Sequence, residues 1–327
     1  MNTFKNALVS LWTKPPKPYP ELVKLVSNYD SRRKAAEVLY LGDSVLERIS
    51  WNDRDKRTLD RMVAGRLAGR KRLLCISHSA YHLKVFYHLL HILKRTRQKP
   101  ELVIVPINMR SFSPQWDLNP AWQFDEEIDI LKKYIETPGM EIPVLGKPVD
   151  SVPLTEAEKM MEVKYPFTEL NRLGEFHDLI KSNPSTEDEK RRRKKQIYIF
   201  HYLHPLSSTH PRLQALPMIM ELLRELNIGL LAYVTPINYQ GGARFIGEGF
   251  IEVMRANIGV ARDLIARFHV RDAFHFLDLS EALSSEYFFH ADEATEHLNQ
   301  DGRAQLAEKI ANEIFLMGVK KNGVPSL

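Results

Sequence analysis

The sequence predicts an α/β protein, a three-layer sandwich with helices on both faces of a central, mostly parallel sheet. Three observations predict it. Short apolar runs recur along the 327 residues without polar alternation, as expected of strands buried on both faces. Segments with apolar residues at helical spacing separate them, and strand–helix alternation builds parallel sheets. That alternation lapses between about residues 111 and 196, which marks a helical insertion.

Residues 1–34 read as an N-terminal arm and residues 35–327 as one domain. The opening MNTFKNALVSLWTKPPKP has a short apolar stretch but neither the long apolar core nor the small-residue cleavage site of a signal peptide. Strands are expected at 38–41, 73–76, 102–105, 197–200, 230–234 and 274–277. Helical stripes fall at Leu59, Met62, Val63 and Leu67; at Val85, Leu89, Leu90 and Leu93; at Leu216, Ile219, Met220 and Leu223; and at Leu306, Ile310 and Ile314. Within the insertion, helical patterns lie near 128–135, 155–161 and 168–180, punctuated by Pro and Gly at 137–139 and 145–148.

Composition narrows the function. Hydrophobic residues make up 44% and charged residues 27%, ordinary for a soluble globular chain. No run approaches the ~18 apolar residues of a membrane span. A single cysteine, Cys75, excludes an internal disulfide and fits a reducing, cytoplasmic setting. The net charge of +5 is concentrated in residues 190–195, KRRRKK, directly after Glu187, Asp188 and Glu189. No aromatic-rich motif or zinc-finger spacing accompanies the run, so it reads as a solvated loop and no nucleic-acid partner is expected. His78 and His82, His88 and His91, and His201, His204 and His210 lack an H-E-x-x-H pattern or a cysteine cluster. Neither a metal nor any other cofactor is expected of them.

The strongest chemical signal is Gly42-Asp43-Ser44, directly after the first strand. A serine at a strand-to-helix turn stands at the carboxyl edge of the sheet, where such folds place their sites. Its hydroxyl becomes nucleophilic when a base takes its proton. The second signal is the segment Asp292 to Asn299, with Glu296-His297 inside it, just ahead of the last helix. A triad is defined by geometry and not by sequence position, so His297 is a candidate base for Ser44. Pro106-Ile107-Asn108 follows the third strand.

Together these blocks resemble the SGNH (GDSL-type) hydrolase superfamily, closest to its cell-wall- and polysaccharide-modifying esterase or O-acyltransferase branch. The resemblance implies a flavodoxin-like sheet and a serine-dependent ester hydrolase or O-acyltransferase working through an acyl-serine intermediate. Its substrate would be a small-molecule or glycan ester, most naturally an O-acylated carbohydrate. It assigns Ser44 as nucleophile, His297 as base, and the Ser44 amide with the Asn108 side chain as oxyanion donors. The family's glycine after the second strand is absent, and Ser79 is the nearest small residue. The family's acid lies three residues before the histidine, where this chain has Ala294, so Asp292 is expected as the third triad member and Glu293 as its competitor. The competing reading is a catalytically inactive domain of the same fold that binds glycan or protein. Phe112, Trp116 and Trp122 either pack the insertion or wall a sugar or acyl site; Arg110 and His78 are further candidates for substrate contact.

Overall fold

Five of the six apolar runs form strands: β1 (Val38–Gly42), β2 (Leu73–Ser77), β3 (Leu102–Ile107), β4 (Gly229–Val234) and β5 (Phe274–Asp278). The computed structural model describes residues 18–145, 154–163, 168–268 and 273–322. The strands pair in parallel in the order β2-β1-β3-β4-β5. This is the flavodoxin-like order, whose switch point lies between β1 and β3.

Side chains alternate across each strand, and the two sets enter two cores. Leu39, Leu41, Val103, Val105, Leu230 and Ala232 face one side. Val38, Tyr40, Ile104, Leu231 and Tyr233 face the other. The second side is covered by α2 (Ser44–Glu47), α3 (Leu59–Leu67) and the terminal helix. The first is covered by α1 (Pro20–Tyr29), α4 (Leu83–His91) and helices from the long connection between β3 and β4. That connection holds α5 (Pro114–Leu118), α6 (Asp125–Glu136), α7 (Glu156–Lys159), α8 (Leu173–Lys181), α9 (Glu187–Tyr202) and α10 (Ala215–Glu225). After β4 come α11 (Tyr239–Ile246) and α12 (Glu248–Ala266), and α13 (Gln300–Asn322) follows β5. All four apolar stripes lie on helices: those of α3, α10 and α13 within one helix each, and Leu93 in the short 3-10 turn that continues α4.

Two expectations are corrected. The run at 197–200 is not a strand but the last turns of α9, and the basic run 190–195 lies on the same helix instead of in a loop. Local chemistry explains both. Thr186 Oγ1 accepts from the Glu189 amide (3.2 Å) while Glu189 Oε2 accepts from the Thr186 amide (3.1 Å), a capping box. Three acids occupy the first turn, where the helix dipole favours them. The basic side chains are substantially engaged: Arg193 donates to the Leu179 and Ile180 carbonyls at the end of α8, Arg192 pairs with Glu169, and Lys194 pairs with Asp292.

The part of the N-terminal segment that is described packs against the domain. Tyr19, Leu22, Leu25 and Tyr29 are fully buried, and the Tyr19 and Tyr81 hydroxyls share a hydrogen bond of 2.6 Å. Residues 1–17 and most of the expected break at 145–148 lie outside the described residues.

The start of α13 is fastened by Arg303, whose side chain is wholly buried. It donates to Asp53 Oδ2 (2.7 Å) and to the carbonyls of Leu298 (2.8 Å), Asp55 (2.9 Å) and Arg57 (3.1 Å). Asp53 Oδ1 in turn accepts from the Gln300 amide (3.1 Å). Removing one member of a buried pair leaves the other charge uncompensated. Arg303→Met is therefore expected to lower the unfolding free energy by about 3–5 kcal/mol in urea denaturation. A loss below ~1 kcal/mol, the range of an ordinary surface change, would contradict this account of the tether.

Candidate active site

The serine turn is built around a buried carboxylate. Asp43, 1% exposed, precedes α2, and its Oδ1 accepts from the Val45 amide (2.8 Å). Its Oδ2 accepts from Asn108 Nδ2 (2.9 Å) at the end of β3. The carboxylate thus joins the two strand ends that flank the switch point. Burial is the main cause that pushes the Asp43 carboxyl up to about 6, against the lowering effect of these two bonds. Gly42 is needed for close approach and not for a left-handed turn. A Cβ there would lie 1.9 Å from Leu46 Cδ1, so any larger residue would have to displace the Leu46 side chain that packs on the strand end.

Ser44 opens α2, and its Oγ lies 3.0 Å from His297 Nε2. The two residues are far apart in sequence and meet because the segment before α13 is pinned on both sides. The Phe289 amide donates to the His297 carbonyl (2.9 Å), the Asn299 amide to the Tyr287 carbonyl (3.0 Å), and Thr295 Oγ1 accepts from the His297 amide (3.1 Å). Asn299 Oδ1 accepts from the amides of Asp301 and Gly302 in the first turn of α13, and Arg303 holds the Leu298 carbonyl. His297 is pushed below its ordinary value, chiefly by burial, with Arg110 and Arg48 acting the same way and Glu296 opposing. The ring is therefore neutral near pH 7, the state that accepts a proton.

Neither expected acid reaches that ring. Asp292 forms a short ion pair with Lys194 of α9, and Glu293 is exposed. The backbone directs them away: Tyr198 Oη donates to the Glu293 carbonyl (2.7 Å), and Asn238 Nδ2 to the Ala291 carbonyl (3.0 Å). These bonds draw residues 291–293 toward α9 and α11. Among the described residues, no carboxylate is hydrogen-bonded to His297 Nδ1. The carboxylate nearest in the chain is Glu296, which is 1% exposed and accepts from Arg110 Nη1 (2.8 Å). Burial alone would raise the Glu296 carboxyl, yet Arg110 and His297 hold it below the ordinary range.

Ser44 and His297 line a cleft of about 490 Å³ with Ser79, His78, Arg48 and Arg110. Ser79 Oγ donates to Glu47 (3.3 Å), and His78 Nδ1 contacts the Ser79 carbonyl (2.9 Å). Trp116 and Trp122 wall the cleft with their rings 5.1 Å apart, whereas Phe112 is buried against His210 behind them. Ala80 (φ 68°) and Phe124 (φ 56°) also line it, both in the left-handed region that L-residues seldom adopt. Sequence reasoning missed what holds this wall. Buried Arg212 donates to the carbonyls of Ser111 (3.0 Å), Trp116 and Trp122 (3.2 Å) and pairs with Asp117 (3.3 Å). A lone arginine about a hundred residues from its partners carries no local signal of that role.

Of the other histidines, His82, His201 and His204 are buried and pushed below their ordinary value by desolvation. Among the described residues, no group of three or more His, Cys, Asp or Glu is arranged to hold a metal ion. Among them too, no helix is long and apolar enough to cross a membrane.

No protein-family model and no curated protein sequence matches this chain. Solved structures resemble it in fold. One is Axe2, an acetylxylan esterase from Geobacillus stearothermophilus, at 12% identity and a TM-score of 0.42 over 88% of this chain and 96% of that one. Another is a carbohydrate acetylesterase family member from Sinorhizobium meliloti, at 10% identity and a TM-score of 0.42 over 86% and 98% of the two chains.

The geometry of the site has a direct check. Titration of His297 by NMR, assigned with His297→Gln, is expected to give a midpoint below the ordinary 6.5. A midpoint above it would contradict the account of the ring's surroundings.

Proposed function

We propose that the chain is a serine ester hydrolase of the SGNH kind, acting through an acyl-Ser44 intermediate on an O-acylated carbohydrate. The observation that carries this reading is the 3.0 Å contact of Ser44 Oγ with His297 Nε2 in an aromatic-walled cleft. At that distance a neutral imidazole takes the hydroxyl proton as Oγ bonds to the acyl carbon, then returns it to the departing alcohol. Water attacks next and releases the acid; an alcohol in its place makes the same site an O-acyltransferase. The oxyanion that forms would be met by the Ser44 amide, unpaired at the first turn of α2, and by the second amide hydrogen of Asn108, the first being committed to Asp43. Ser79, beside Ser44 on the cleft, is the remaining candidate donor. The indoles of Trp116 and Trp122 suit the apolar face of a sugar ring.

In this reading Ser44→Ala abolishes hydrolysis of acetylated xylo-oligosaccharides and of an aryl acetate, with the thermal melt retained. Wild-type turnover in that variant would remove Ser44 from the mechanism, and an inactive wild type would favour a glycan- or protein-binding role for the cleft. The pH dependence has a definite sign. The base must be unprotonated, so kcat/KM falls as pH drops through the pKa of His297, and the acid limb is expected below pH 6.5. A limb centred above pH 7 would be inconsistent with the depressed imidazole.

A further inference from the structure

We propose that Glu296, clamped by Arg110, takes the electrostatic role of the missing acid of the Ser44–His297 pair, acting through His297 by stabilising the imidazolium that forms while Ser44 is acylated. The inference rests on the serine-esterase reading above. Three observations lead to it. Asp292 is committed to Lys194 and Glu293 is exposed, so neither expected acid serves the ring. Glu296 is the carboxylate adjoining His297 in the chain; it is 1% exposed, and both residues line the cleft. Its bonding is also incomplete: Oε2 accepts from Arg110 Nη1 at 2.8 Å, but Oε1 and Arg110 Nε are buried with no hydrogen-bond partner.

A buried ion pair that served stability alone would satisfy its remaining polar atoms, since each orphan costs free energy. Here one carboxylate oxygen keeps its field in a place that water does not reach, and a fixed field acts strongly at low dielectric. Arg110 holds the carboxylate ionised, which an isolated buried acid would not remain. The charged and titratable groups around the pair are few. His297, Asp43 and Tyr202 interact electrostatically with Glu296, Arg48 at the end of α2 with His297, and His201 of α9 with Arg110. As the Ser44 proton passes to His297 Nε2, the new imidazolium adds a second cation to the field of Glu296, which already pairs with Arg110. Glu296 then bears the load that a triad aspartate bears elsewhere.

The test measures two quantities on the full chain: the rate at which a fluorophosphonate labels Ser44, and the NMR titration midpoint of His297. Glu296→Gln leaves Arg110 facing the ring unopposed, so the midpoint is expected to fall and labelling to slow by roughly 10²-fold. Arg110→Gln unmasks Glu296, so the midpoint is expected to rise. Opposite shifts from the two variants support the inference, because a purely structural role would not change sign. Should a single variant fail to fold, the charge-neutral double variant Arg110→Gln/Glu296→Gln keeps the question open to measurement. It is expected to melt near wild type yet label at least about tenfold more slowly. Midpoints that do not move, or wild-type labelling in the double variant, would overturn the role given to Glu296. Failure of the wild type to be labelled, or equal labelling of Ser44→Ala, would instead overturn the serine-esterase reading.

Discussion

Burying a carboxylate is costly unless every oxygen finds a donor, and Asp43 answers that demand by joining the ends of β1 and β3. One oxygen holds the first turn of α2 and so aims Ser44. The other holds Asn108, which fixes the start of the long connection that carries the cleft's aromatic wall. The bond lies at the point where the strand order reverses, the place where a doubly wound sheet opens a crevice. Gly42 belongs to the same turn, where the Leu46 side chain fills the space a Cβ would take.

The same rule recurs at two other places, with arginine as the partner. Arg303 and Asp53 lock the segment before α13 to the loop after α2, and His297 is delivered to Ser44 as a consequence. Arg212 gathers the carbonyls of Ser111, Trp116 and Trp122, and so holds the two indoles side by side on the cleft. Arginine suits both tasks because its planar fork donates in several fixed directions and keeps its charge when buried. Such a pair gives less net stability than an apolar core of equal volume. What it supplies is geometry, which the candidate site requires and hydrophobic packing alone does not specify.

Within the candidate site, position and electrostatics are divided between separate residues. His297 is placed by backbone bonds from 287 and 289 and by Thr295, none of which involves its ring. The electrostatic surroundings come from Glu296, Arg110 and Arg48. The residues at 292 and 293 take part in other contacts, as the Asp292–Lys194 pair shows.

Much of the fold was legible in the sequence because it depends on local periodicity. Five apolar runs and four helical stripes are patterns that a buried sheet and its covering helices cannot avoid. The run at 197–200 deceived because four apolar residues fit either a strand or a helix end; the deciding signal, Thr186 with Glu189, lay eleven residues upstream of it. The meeting of Ser44 with His297, and of Asn108 with Asp43 next to it, was legible only as an ordered set of blocks, since no single-segment property brings residues 44 and 297 together. The tertiary structure alone decided that Asp292 pairs with Lys194, that Arg110 pairs with Glu296, and which aromatics reach the cleft. Those outcomes depend on which buried charges find one another across distant segments. That pairing is a property of the packed molecule, because a buried ion is tolerated only where the whole surroundings satisfy it.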